Sequence, residues 1–367
     1  MTTSVRAAVL HGVDEPFRFE DLTLGDLQPD EVLVKIVATG LCHTDLAVQH
    51  GHIPGAFPFV LGHEGAGVVE QVGSAVHGLA VGDAVGLSYA ACGRCSNCLA
   101  GREAYCLNFM PLNFGGVRED GTTTLSAADG SPVHGSFFGQ SSFATHAIAS
   151  AKNVVKLPEG TPVELAGPLG CGIQTGAGTV LNSLDVPAGS SIVVAGTGAV
   201  GLSAIMGAKV AGATTIIAVD VIPERLAFAE RLGATHLING KEEDTTARIL
   251  EITGGGASYA VDTTGVAPVI EQLIQATAFG ARIALVGVPK PGSTIDLGLV
   301  AASGKTLVGA IEGDAIPQNF IPELVALHQA GRFPFDELIT TYPFEQMEQA
   351  IADTQSGATV KAVLVMP

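Results

Sequence analysis

The run Ser191-Ile-Val-Val-Ala-Gly196-Thr-Gly198-Ala199-Val200-Gly201 joins an apolar, β-branched segment to a glycine-punctuated helix start. In a chain with 47 glycines, a GxGxxG string by itself is weak. Here it follows a strand-like run, opens a helical pattern reaching about Ala211, and precedes a second strand, Thr215–Val219, that ends at Asp220. That context makes it a dinucleotide-binding fingerprint. Gly196 permits the tight turn, Gly198 lets backbone approach a pyrophosphate, and Gly201 lets helix and strand pack closely. Ala199 and Val200 lie at a helix N-terminus that contributes partial positive charge. Asp220 is expected to accept from the ribose hydroxyls. A 2′-phosphate would meet its carboxylate, so NAD is expected over NADP despite Arg225 nearby. The alternative is a glycine turn in an α/β domain that binds no ligand.

Outward from this unit the alternation continues. Tyr259–Asp262, Arg282–Val286 and Thr306–Val308 read as strands, with a helix over 267–278. The pattern begins near Ile173 and stops near Ile311. A last strand-like run, 357–365, is expected to rejoin the preceding domain. That N-terminal domain reads as β-rich, with strands at Val5–Leu10, Glu31–Ala38 and Gly67–Val72 separated by Gly, Pro and Asp. The predicted organisation is an α/β chain. Residues 1–172 and 310–367 form a β-rich catalytic domain, and 173–309 form a doubly wound parallel-sheet domain.

A length of 367 residues suits two domains. The net charge of −18 argues against a nucleic-acid partner. Met1–Gly12 lacks the pattern of a signal peptide. The uncharged stretch Val186–Ala208 imitates a membrane span, but Pro187 and its glycines suit a buried βα unit better. A cytoplasmic protein without membrane contact is expected.

The six cysteines divide into two groups. Cys92, Cys95, Cys98 and Cys106 have two, two and seven intervening residues, a spacing that suits one tetrahedral structural zinc. Disulfides, an iron–sulfur cluster or a redox thiol pair are the alternatives. Cys42 and Cys171, with His63 of Gly62-His-Glu-Gly65, supply two thiolates and one imidazole. Such a set leaves a fourth zinc position open for a reacting oxygen. His146 reads as an ordinary strand residue.

Gly40-Leu-Cys-His-Thr-Asp45, Gly62-His-Glu-Gly-Ala-Gly67, the four-cysteine cluster, Gly170-Cys-Gly-Ile-Gln-Thr175, Gly196–Gly201 and Asp220 together resemble the zinc-dependent medium-chain alcohol dehydrogenases. The resemblance runs from end to end. Phe137–Phe143 and Gly167–Gly176 resemble the aryl-alcohol (benzyl alcohol) branch. The resemblance implies a GroES-like catalytic domain, a Rossmann domain and two Zn²⁺ per chain.

It also implies roles. Cys42, His63 and Cys171 would hold the catalytic zinc, with Glu64 nearby and Asp45 orienting His63. Thr44 would take the substrate proton. His43, Thr175 and Lys361 would lie along the cofactor, and Val286, Gly287 and Val288 would face the nicotinamide carboxamide. Ser88 would form the substrate-pocket wall and leave room for a ring. Many relatives have a relay histidine where this chain has Ala47; His50 is a candidate replacement, although a surface role fits it better.

The expected function is reversible NAD-linked oxidation of primary aryl or allylic alcohols to aldehydes by a homodimer or homotetramer. A thiol-adduct formaldehyde dehydrogenase and a non-catalytic NAD-binding protein are the alternatives.

Overall fold

The computed structural model describes residues 3–367. It divides into two compact units. The first runs through Cys171 and regains Ile316–Ala326 and Asp336–Pro367; the second comprises Gly172–Ala315 and Leu327–Phe335. The sequence-based boundaries at 172/173 and 309/310 therefore shift. Residues 310–315 stay with the second unit because Glu312 accepts a hydrogen bond from Gln174 and the Gly313 carbonyl accepts one from Asn182.

The first unit is built on two sheets. Thr3–Leu10 pairs antiparallel with Arg18–Leu24 in a five-stranded sheet. The second sheet has seven strands centred on Glu31–Gly40. This strand pairs antiparallel with Glu64–Val72, His146–Ser150 and the C-terminal strand Lys361–Val365. Its burial is nearly continuous, as expected of a central strand rich in valine and isoleucine. Val9, Leu10, Phe59, Leu61, Phe137 and Phe143 form part of a core with essentially no exposure.

Register, more than any local propensity, assembles the site. Gly40 stands opposite Glu64 and Thr39 opposite Gly65. The chain leaving Gly40 toward Cys42 therefore passes the chain arriving at His63. Val363 stands opposite Gly40, which brings Lys361 alongside the same strand ends. A Cβ at Gly167 would strike the Glu64 carbonyl, and one at Gly170 the Leu87 carbonyl. Only glycine lets the turn before Cys171 come this close.

In the second unit six strands form one sheet in which every pairing is parallel. Ser191–Ala195 lies near its centre, between Thr215–Asp220 and Ala257–Asp262. The helix Ala199–Ala211 follows, with Gly198 as N-cap and Gly212 in the left-handed conformation at its end. The predicted helix over 267–278 ends at Ala276, because the next strand already begins at Thr277. No helix among the described residues is long and apolar enough to cross a membrane.

Candidate active site

Cys42 caps the short helix His43–Gln49, and Asp45 at its third position folds back onto the Cys42 N–H at 3.0 Å. The fully buried Asp45 carboxylate also accepts from the Gly62 N–H and from His63 Nδ1, each at 3.1 Å. One carboxylate thus secures the helix start, the loop before His63 and the imidazole tautomer. His63 sits one residue before the strand Glu64–Val72, at the expected loop-to-strand junction.

Ligand atoms of Cys42, His63, Glu64 and Cys171 all lie within 4.8 Å of one another. His63 Nε2 is buried and has no hydrogen-bond partner. A buried, unpaired imidazole nitrogen facing two sulfurs is costly unless something coordinates it. The charges agree. The Cys42 thiol is held well below its ordinary value, chiefly by hydrogen bonding to Cys171, against the opposing effect of burial and with help from His63. Burial opposes charging of His63, but Asp45 and Cys42 outweigh it and raise its pKa. The donor set fits a soft divalent cation such as zinc.

Glu64 and Lys361 form a buried ion pair beside this cluster. Lys361 Nζ donates to both Glu64 carboxylate oxygens at 2.9 Å and to the Leu41 carbonyl at 3.2 Å. Burial pushes the Glu64 carboxyl up against the opposing pull of Lys361. Lys361 was expected along a cofactor; its ammonium is held at Glu64 because antiparallel register brings it beside the Cys42–His63–Cys171 cluster. Thr44 Oγ1 lies 3.7 Å from Cys42 Sγ, and His43 is exposed.

Ser88 is fully buried and donates to the Gly170 carbonyl at 2.7 Å. Its hydroxyl thus braces the turn before Cys171, a contact that the expected pocket-wall role did not include. His50 bonds Asp14 at 2.8 Å on the surface, and His146 lies on its strand beside Glu70 at 3.3 Å.

The other four cysteines converge as their spacing predicts. None of the six cysteines is joined in a disulfide. Cys92 and Cys98 sulfurs are 3.9 Å apart, and those of Cys95 and Cys98 are 3.5 Å apart. A tetrahedron with Zn–S bonds near 2.3 Å has edges of ~3.8 Å. Backbone N–H groups of Cys98 and Leu107 lower Cys95 to about 6, whereas burial leads the rise of Cys98 to about 12. Four sulfurs this close, with N–H groups directed at them, fit one closed metal site.

In the second unit Gly196 has φ +88°, and a Cβ on Gly201 would strike its carbonyl. A Cβ on Gly198 would meet nothing within 4 Å, so open space remains where a pyrophosphate is expected. Asp220 is more committed than its sequence position suggests. It accepts from Thr197 N at 2.7 Å and Oγ1 at 2.6 Å, and from the Val221 and Ile222 N–H groups. It ties the glycine loop to the end of the next strand. Arg225 Nε is buried without a partner. The Val286 and Gly287 N–H groups both donate to the Asp262 carbonyl, and Val288 is exposed. Thr175 is nearly buried, in the helix Gly172–Gly178. These features fit a dinucleotide.

A GroES-like fold carrying two cysteine-rich clusters, with a Rossmann-type unit beside it in the chain, defines a zinc-binding dehydrogenase. The zinc-binding dehydrogenase family matches residues 199–329, and the alcohol dehydrogenase GroES-like domain family matches 28–159. The chain belongs to the zinc-dependent medium-chain alcohol dehydrogenase family. It is 46% identical to geraniol dehydrogenase of Castellaniella defragrans over 366 residues, covering 99% of this chain and 98% of that one. Its fold matches benzyl alcohol dehydrogenase of Acinetobacter calcoaceticus with a TM-score of 0.96 and 46% identity. It matches an alcohol dehydrogenase zinc-binding domain protein of Burkholderia ambifaria with a TM-score of 0.98 and 53% identity. Both structural matches cover 100% of each chain.

Proposed function

We propose that the protein oxidises primary aryl or allylic alcohols to aldehydes, reversibly, with NAD and two zinc ions per chain. The first compact unit would hold both metals and the second the dinucleotide. The observation that carries this reading is His63 Nε2, buried and unpartnered among Cys42, Cys171 and Glu64. When bound, zinc supplies Lewis-acid polarisation of the substrate oxygen and NAD supplies the hydride acceptor.

The chain's own residues align and neutralise. Cys42, His63 and Cys171 hold the metal, and Asp45 keeps the His63 proton on Nδ1 so that Nε2 is free to ligate. Thr44, the second residue of the helix that Cys42 caps, accepts the proton leaving the alcohol. Lys361 offsets the Glu64 charge beside two thiolates, so the cluster does not accumulate buried negative charge. Asp220 anchors Thr197 and the glycine loop against which the pyrophosphate lies, with Arg225 at the adenosine end.

Relatives named for geraniol and benzyl alcohol, one allylic and one aryl, support this substrate class. Six cysteines that form no disulfide suit a reducing cytoplasm, and a homodimer or homotetramer is the assembly we expect there. The test is NAD reduction followed with benzyl alcohol, geraniol and ethanol, alongside zinc content. Turnover should require both metals and favour the unsaturated alcohols; turnover with zinc removed would contradict the reading.

A further inference from the structure

The segment 136–143 is bound tightly to the chain on either side of His63, from Leu61 to Gly65. Gln140 Nε2 donates to the His63 carbonyl at 2.8 Å, and Gln140 Oε1 accepts from the Gly65 N–H at 3.0 Å. The Ser142 and Phe143 N–H groups donate to the Gly62 and Leu61 carbonyls at 2.9 and 3.0 Å. Within it Ser136, Phe138 and Ser141 adopt left-handed φ values of 60°, 51° and 55°. Residues with a Cβ avoid that region, and an aromatic one persists there only where its surroundings over-determine it.

What over-determines Phe138 is visible around its ring. The ring stacks on the His63 imidazole at 4.5 Å with an interplanar angle of 27°. Phe137 meets the same imidazole edge-on at 5.5 Å, and Phe114 braces Phe138 edge-on at 5.1 Å. The hydrogen bond to Asp45 fixes one nitrogen of His63 but leaves the ring able to tilt about that anchor. A ring lying flat against one face resists that tilt, because any rotation loses contact over the whole stacked surface.

We propose that Phe138 is a positioning residue for the metal ligand His63: its ring, held in a left-handed turn, fixes the imidazole plane so that Nε2 is aimed at the metal. The inference rests on the reading of Cys42, His63 and Cys171 as a zinc site. Residues that orient a metal-bound histidine typically change metal affinity by roughly 10–100-fold when removed.

The test uses the full-length protein with Co²⁺ in place of zinc. Phe138→Leu and Phe138→Met remove the ring and keep bulk, and Phe138→Tyr keeps the ring. The readouts are the cobalt d–d absorption band and the rate of metal loss to a chelator. The relevant kinetic phase is identified as the one missing in Cys171→Ser. Leu and Met should lose that metal roughly 10–100-fold faster and shift the band, whereas Tyr should stay close to the parent. Folded Leu or Met variants with the parental band and rate would overturn the proposal, and so would a Tyr variant as perturbed as Leu. If Leu does not fold, Met and Tyr decide the matter between them. An unmodified protein with no Cys171-dependent phase would overturn the zinc reading itself, and this proposal with it.

Discussion

Lys361 Nζ sits 2.9 Å from each carboxylate oxygen of Glu64, both side chains being buried beside the Cys42–His63–Cys171 cluster. Removing one partner of such a pair leaves an uncompensated buried charge. Lys361→Met should therefore cost about 3–5 kcal/mol. Glu64→Gln combined with Lys361→Met should recover a large share of that loss. Chemical denaturation of the parent and the two variants checks this, and equal penalties for the single and double variants would contradict it.

The two metal sites should separate by mutation. Cys171→Ser should lose one zinc and turnover while the melting temperature stays near that of the parent. Cys106→Ser should lose the other zinc and lower the melting temperature, because the lobe holding Cys92, Cys95 and Cys98 has little apolar material of its own. Elemental analysis and thermal melts decide. One zinc per fully active parental chain would contradict the assignment.

Asp220 fixes the loop geometry and, on the proposed reading, also sets cofactor choice. Its carboxylate holds Thr197 through N–H and hydroxyl. Asp220→Ser should therefore raise KM for NAD by about tenfold, equivalent to one charge-assisted hydrogen bond, while shifting the NADP:NAD ratio of kcat/KM toward NADP. Steady-state kinetics with both cofactors tests this; an unchanged ratio would remove Asp220 from cofactor selection.

Burial raises the Asp262 carboxyl above its ordinary value, against hydrogen bonds from Thr264 and Gly265. A raised folded-state pKa favours the protonated form. Its stabilising contribution is complete below the unfolded value near ~3.9 and is lost as pH rises through the folded value. Asn cannot titrate and turns an amine toward one donor, so Asp262→Asn should destabilise by about 1–3 kcal/mol at neutral pH. The parent-minus-variant stability difference should be larger in acid and shrink as pH rises. Urea denaturation at a series of pH values checks the sign, and a difference that grows with pH would contradict it.

The side chains of the two clusters were legible because their chemistry is carried by residue type. Cys42, His63, Cys171 and the four-cysteine run have few other uses in such arrangements, and the glycine fingerprint lay between recognisable strands. The contact of Lys361 with Glu64 was not legible. It is decided by which residue of Glu31–Gly40 the C-terminal strand faces, and that register is a long-range property. The Ser88 hydrogen bond was hidden for a similar reason, since its hydroxyl is taken by a carbonyl 82 residues away. The stacking of Phe138 on His63 had one local signal, the adjacent aromatics of Phe137-Phe138-Gly139, but a left-handed phenylalanine cannot be read from composition. Asp220 was located correctly on its strand, while its grip on Thr197 emerged only from the loop geometry.

The most direct test of the whole account is kcat/KM for benzyl alcohol against ethanol, measured by NAD reduction on protein shown to hold two zinc ions. Burying a phenyl ring gains roughly 2–3 kcal/mol over a methyl group, so benzyl alcohol should be favoured by about 100-fold. Equal values for the two alcohols, or no zinc-dependent NAD reduction with either, would contradict it.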